Sequence, residues 1–147
     1  MDKTQDVSIY TDGGGSKEYG TNAALLISDD NRYMIMCEAV EDTTSNRMEL
    51  SGVINAIRAL TVPCRVTVYS DSRYVVDSYN KGWVYNWSGN GWVTSSGRLA
   101  KNIDLWTMFL DVIAPHSLRM VWVQGHASNR GNIVVDSLCT AAYNRCL

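Results

Sequence analysis

Three alternating runs close together near the start of the chain, Val7–Thr11, Ala23–Ser28 and Tyr33–Val40, constrain the fold most. In the first, Val7, Ile9 and Thr11 alternate with Ser8 and Tyr10, which is the period of a strand with two distinct faces. The Ser28-Asp29-Asp30-Asn31 segment supplies turn-forming side chains between the second and third runs. Strands this near in sequence are expected to pair as an antiparallel meander. The first run then meets Asp12 and three glycines, read here as a strand end beside a glycine turn.

The period changes after residue 43. Thr43, Thr44, Ser45 and Asn46 offer helix caps, and Leu50, Val53, Ile54, Ile57 and Leu60 form an apolar stripe at helical spacing. Pro63 lies just beyond it. Arg65–Ser70 is a short β-rich run separated from the meander by that helix, so it is expected to join the sheet in parallel. Asp71-Ser72 starts another helix. Lys81–Lys101, rich in glycine and carrying Trp83, Trp87 and Trp92, reads as an excursion of one short helix and a loop. A helix over Asn102–Ile113, a strand over Leu118–Val123, a polar loop over Gly125–Gly131 and a helix over Asn132–Arg145 complete the chain. The expected architecture is α/β, a five-stranded mixed sheet with three antiparallel strands, then two parallel ones, and helices on both faces.

At 147 residues and 46% hydrophobic content, the sequence fits one globular domain over residues 1–147 rather than a disordered chain. Its apolar runs are too short to span a bilayer, and Met1-Asp2-Lys3-Thr4-Gln5 does not begin a signal peptide. Cys37, Cys64, Cys139 and Cys146 match no zinc spacing and are read as reduced thiols of a cytoplasmic protein. The net charge of −2 hides an asymmetry: seven Lys or Arg face three acids between Thr43 and Lys101, giving +4, and the remainder carries −6. A basic region of this size permits a polyanionic partner without requiring one.

Four carboxylates carry the chemistry. Asp12, Glu49, Asp71 and Asp136 each sit at the edge of an expected element. Singly, each has an ordinary role: a turn stabiliser, a first-turn acid, an N-cap, a helix-surface residue. Together they share a pattern. Asp12 and Asp71 follow two strands expected to run parallel, and Glu49 flanks the buried stripe four residues before Val53. Clustered carboxylates repel one another unless cations neutralise them, and an all-oxygen set suits Mg²⁺, with Mn²⁺ as substitute.

The segments TDGG at 11–14, TSNRMEL at 44–50, YSDSRYV at 69–75 and VQGHASNRGNIVVD at 123–136 resemble the four acidic motifs of ribonuclease H type 1. WVYNW at 83–87, GW at 91–92 and KNIDLW at 101–106 are similar to that family's protrusion and following helix. The resemblance implies a ribonuclease-H-like fold and an endonuclease, expected to act as a monomer, that hydrolyses the RNA strand of RNA–DNA hybrids with two Mg²⁺ ions. It makes Asp12, Glu49, Asp71 and Asp136 the metal-binding carboxylates, and gives His126 a part in proton transfer or product release. It places Thr44, Ser45, Asn46 and Arg73 (in a position usually Gln) against the hybrid, with Trp87 on the DNA sugars. Trp83, Trp106 and Trp122 are expected in the core.

Three departures bear on substrate grip. The segment GGGSKEYGTN after Asp12 replaces the usual Asn-Pro-Gly, leaving Asn22 as the nearest asparagine. The protrusion segment SGNGWVTSSG at 88–97 carries no charge, and Ile133-Val134-Val135 precedes Asp136 where polar residues are common. Two alternatives stay open: another enzyme on this fold, such as a transposase or a reverse transcriptase's nuclease domain, and a non-catalytic hybrid-binding module. The second is expected to have lost a carboxylate, and all four are present.

Overall fold

The computed structural model describes residues 5–15, 18–124 and 130–146. Its five strands are β1 (Gln5–Gly15), β2 (Tyr19–Ser28), β3 (Tyr33–Glu41), β4 (Cys64–Ser70) and β5 (Ser117–Trp122). The helices are α1 (Ser45–Arg58), α2 (Arg73–Asn80), α3 (Trp83–Gly89), α4 (Ile103–Ile113) and α5 (Arg130–Cys146). The sheet order is β3-β2-β1-β4-β5, antiparallel across β1, β2 and β3 and parallel across β1, β4 and β5. This is the architecture that the alternating runs and the intervening helix predict.

Strand alternation divides the core. Val7 and Ile9 of β1, Ala24 and Leu26 of β2 and Val66 and Val68 of β4 face one side, where Leu50, Val53, Ile54 and Ile57 of α1 cover them. Trp106 and Phe109 of α4, both fully buried, extend the same cluster. Tyr10 and Ala23 point to the other side, against Val135 and Leu138 of α5. The helices therefore lie on both faces, and each strand residue that touches one layer is followed by one that touches the other.

Two expectations fail here. The glycines after Asp12 do not turn: Gly13, Gly14 and Gly15 continue β1, paired with Asn22, Thr21 and Gly20 of β2. The reason is close packing rather than chain reversal. A Cβ on Gly13 would lie 2.5 Å from the Glu49 backbone nitrogen and 2.6 Å from the Met48 carbonyl carbon, so only glycine lets α1 rest directly on the strand. The tryptophans also divide differently. Trp106 is in the core as expected, but Trp83 is 41% exposed on the short helix α3 and Trp122 is 37% exposed at the end of the edge strand β5. Helix α5 begins at Arg130, two residues before its expected start.

Candidate active site

Strands β1 and β4 stay paired as far as Tyr10 and Tyr69, whose rings stack with centroids 4.8 Å apart. Asp12 and Asp71 each lie two residues beyond that last pair. Because the strands are parallel, both carboxylates lie at the same end of the β1–β4 pairing, just past its last pair. Asp12 itself stays within β1, opposite Ala23, and does not end the strand as the sequence implied.

Helix α1 delivers Glu49. Thr44 is its N-cap, its hydroxyl accepting from the Arg47 backbone N–H at 3.2 Å. Glu49 lies beyond the first turn, which contains no acid, so the helix dipole does not account for its presence. It is 8% exposed, and its Oε2 is buried with no hydrogen-bond partner. Carboxylate oxygens of Asp12, Glu49 and Asp71 all lie within 4.8 Å of one another.

Asp136 arrives from the opposite face on α5. A Cβ on Gly131 would overlap the Tyr10 ring at 2.3 Å, so glycine is what lets the start of α5 lie flat on that ring. Asp136 then hydrogen-bonds with Asp12 and adds its charge to the cluster. It is not within the 4.8 Å triad.

The electrostatic consequence is large. Burial, then the Asp12 and Asp71 charges, push the Glu49 carboxyl up to about 9, and only the Gly13 amide acts the other way. Burial, then Asp71 and the contacts with Asp136, push Asp12 up to about 7, against the Gly13 N–H that donates to its Oδ1 at 3.0 Å. Burial and mutual repulsion thus favour the protonated form of both acids, Glu49 more strongly than Asp12. An orphaned, buried carboxylate oxygen beside two more carboxylates is an all-oxygen donor set that fits a hard divalent cation.

The other expected residues fall around this centre. Ser45 and Asn46 are exposed on the first turn of α1, beside the Thr44 cap. Arg73 opens α2, exposed, with its guanidinium 3.9 Å from the Trp122 ring centroid. Trp87 is half-buried, tilted against Trp83 and edge-on to Trp106. Asn22 does not reach outward: it is 3% exposed and donates to Glu38 of the neighbouring β3 at 3.0 Å. His126 lies outside the described residues.

Some groups that shape the site carry no acid or metal signal of their own. Gly13 and Gly131 set helix-to-sheet distances, and Trp122 donates from Nε1 to the Asp71 carbonyl at 3.0 Å. The glycines after Asp12 are compatible with a turn or with a close approach, and the structure uses them for the approach.

A family model described as RNase H matches residues 4–144. The chain belongs to the ribonuclease H family. It is 41% identical over 146 residues to a ribonuclease H from Rippkaea orientalis, covering 96% of this chain and 87% of that one. Over 139 residues it is 40% identical to a ribonuclease HI from Synechocystis, covering 93% and 87%. Among solved structures, LC9-RNase H1, a type 1 RNase H with the type 2 active-site motif, superposes with a TM-score of 0.85 at 29% identity, covering 99% of this chain and 75% of that one. As a ribonuclease H family member, the chain is a nuclease, a hydrolase of phosphodiester bonds.

Proposed function

We propose that this chain is an endoribonuclease that cuts the RNA strand of RNA–DNA hybrids with two Mg²⁺ ions. The observation that carries this reading is the convergence of Asp12, Glu49 and Asp71 within 4.8 Å at the end of two parallel strands, with Glu49 Oε2 buried and orphaned. Family membership and this donor set support the same reading. Asp12, Glu49, Asp71 and Asp136 would hold the ions, with Mn²⁺ as substitute. Held there, divalent cations would supply a lowered pKa for a water nucleophile and charge stabilisation for the leaving alkoxide of a phosphodiester.

The residues of the chain do the rest. To hold the cations, Asp12 and Glu49 would give up their protons, and the cation charge would offset the repulsion among the carboxylates. The edge of α1, with Thr44, Ser45 and Asn46 exposed, faces the minor groove of the hybrid, where the 2′-hydroxyl tells RNA from DNA. Arg73 contacts the same strand, and Trp87 packs on the DNA sugars. His126 assists proton transfer. The protein works in the cytoplasm as a monomer; among the described residues no helix is long and apolar enough to cross a membrane.

The test is cleavage of a labelled RNA–DNA hybrid beside matched RNA and DNA duplexes, with Mg²⁺, Mn²⁺ or chelator. Cutting confined to the RNA strand of the hybrid, and lost with chelator, is expected. Equal cutting of double-stranded DNA, or activity that survives chelation, would refute the reading.

A further inference from the structure

Trp122 ends β5 beside Ser70, the residue before Asp71, and on the same face as the buried Met120. Its ring makes two contacts with different consequences. At its edge, Nε1–H donates to the Asp71 backbone carbonyl at 3.0 Å. Over its face lies the Arg73 guanidinium, 3.9 Å from the centroid. One exposed indole thus touches the main chain of a residue in the carboxylate cluster and a cation that the proposed function sets against the hybrid. We propose that Trp122 is a positioning residue coupling the two: its N–H fixes the Asp71 backbone for metal loading, and its face holds Arg73 ready for the hybrid.

The surroundings make this a stiff mounting. The Val123 N–H donates to the Ser70 carbonyl at 2.9 Å, so both carbonyls that precede the α2 cap are held from the end of β5. The Ser72 N–H donates to Ser70 Oγ at 3.1 Å, and Ser72 Oγ accepts from the Val75 N–H at 3.2 Å, which closes the turn through Asp71. Further along, Tyr79 and Asn80 of α2 donate to the Leu118 and Met120 carbonyls of β5 at 3.1 and 3.0 Å. Helix α2 is therefore pinned to the edge strand along its length, and Trp122 supplies the contact nearest the cluster.

Arginine suits this position better than a shorter, neutral side chain would. A long flexible cation loses rotamer freedom when it binds a phosphate or a base edge. Contact with the indole face removes part of that freedom beforehand. The cost of ordering Arg73 is met within the free protein, so more of its interaction with the hybrid appears as affinity.

This inference rests on the proposed hybrid-cutting function, and the experiment separates the two. Mg²⁺ binding to the protein alone is measured by isothermal titration calorimetry. Binding of a fluorescein-labelled RNA–DNA hybrid is measured by anisotropy in chelator, with kcat and KM at saturating Mg²⁺ alongside. Trp122→Phe keeps a ring face and loses the N–H. It is expected to weaken Mg²⁺ by about three- to ten-fold, the worth of one such hydrogen bond, with hybrid affinity within about two-fold of the parent. Trp122→Leu is expected to weaken both, the hybrid by about two- to five-fold. Arg73→Gln is expected to raise KM and the hybrid Kd with Mg²⁺ affinity unchanged, and to do less in the Trp122→Leu background than in the parent. Far-UV circular dichroism checks folding, and Trp122→Met stands in for a Leu variant that does not fold. Parental Mg²⁺ affinity in Trp122→Phe, or independent effects of Arg73→Gln and Trp122→Leu, would overturn the coupling. A parent protein that neither cuts nor binds hybrid would instead overturn the function on which it rests.

Discussion

Asp12→Asn is expected to abolish cleavage while raising the stability of the metal-free protein above neutral pH. The amide matches the carboxylate in size, and its oxygen can still accept the Gly13 N–H that donates to Oδ1 at 3.0 Å. What it removes is charge. Two unit charges with oxygens up to 4.8 Å apart repel by about 0.9 kcal/mol in water and about 3.5 kcal/mol at an effective dielectric of about 20. Asp12 is partly exposed, so the lower half of that range applies, about 1–2 kcal/mol for each ionised neighbour. At about 2–4 °C per kcal/mol for a chain of this size, relief of one such repulsion should raise the variant's melting temperature by about 2–8 °C at pH 8.5 in chelator.

The sign follows from the Asp12 carboxyl, which ordinarily titrates near 3.8 and is raised here to about 7. Below about pH 4 the native and unfolded chains both hold the proton, and the group contributes nothing. Between there and about pH 7 the native state keeps a proton that the unfolded chain has released, so stability falls as pH rises. Above about pH 7 both are ionised and the loss is complete. Asparagine has no such dependence. The gap between variant and parent should therefore be small at pH 4.5, widen through pH 7 and stay level above it. Differential scanning calorimetry in chelator at pH 4.5, 6 and 8.5 measures it. With excess Mg²⁺ the parent should gain stability by mass action and close or reverse the gap, because the variant lacks a ligand. A variant that melts lower than the parent at pH 8.5 in chelator, or equally higher at pH 4.5 and 8.5, would refute the repulsion argument.

Gly13→Ala should lower stability by about 1–3 kcal/mol, since its Cβ meets the main chain of α1, and Gly14→Ala, with nothing within 4 Å, should not; thermal melts of the two distinguish them. Lysines in place of the exposed Ser88, Asn90 and Ser95 should lower KM at moderate salt and steepen its salt dependence, because each new phosphate contact releases counterions; an unchanged salt slope would show that this segment does not face the hybrid. His126→Ala should slow turnover by about ten- to a thousand-fold with Mg²⁺ binding intact, as expected when a positioned proton-transfer group is removed, and single-turnover kinetics test it.

The sheet was legible because its strands announce themselves in period and order. Val7, Ile9 and Thr11 alternate, the helix stripe of α1 follows the meander, and a strand after a helix joins in parallel, so the β3-β2-β1-β4-β5 order adds little surprise. Tryptophan burial was less legible, because size and hydrophobicity favour the core without saying which face of an element a residue occupies. Trp106 falls on the core face of α4 and is fully buried. Trp122 ends an edge strand, where its ring has solvent on one side and a polar duty at Nε1. Trp83 opens a short helix whose buried residue is Val84.

The acids of the site could be named before their geometry because repulsion is rarely tolerated without purpose, yet the means of bringing them together stayed hidden in the glycines. Gly-Gly-Gly after a strand has two physical meanings: a backbone free to turn, or a backbone bare enough to be approached. Sequence offers no way to choose unless the approaching element is known. Here Gly13 admits the α1 backbone and Gly131 admits the Tyr10 ring, one on each face of β1, so the two helices deliver Glu49 and Asp136 to opposite sides of the strand that carries Asp12. A methyl group at either glycine would meet the main chain of α1 or the Tyr10 ring and push the helix that carries Glu49 or Asp136 away from Asp12. The absence of two Cβ atoms is thus as much a determinant of the cluster as the four carboxyl groups.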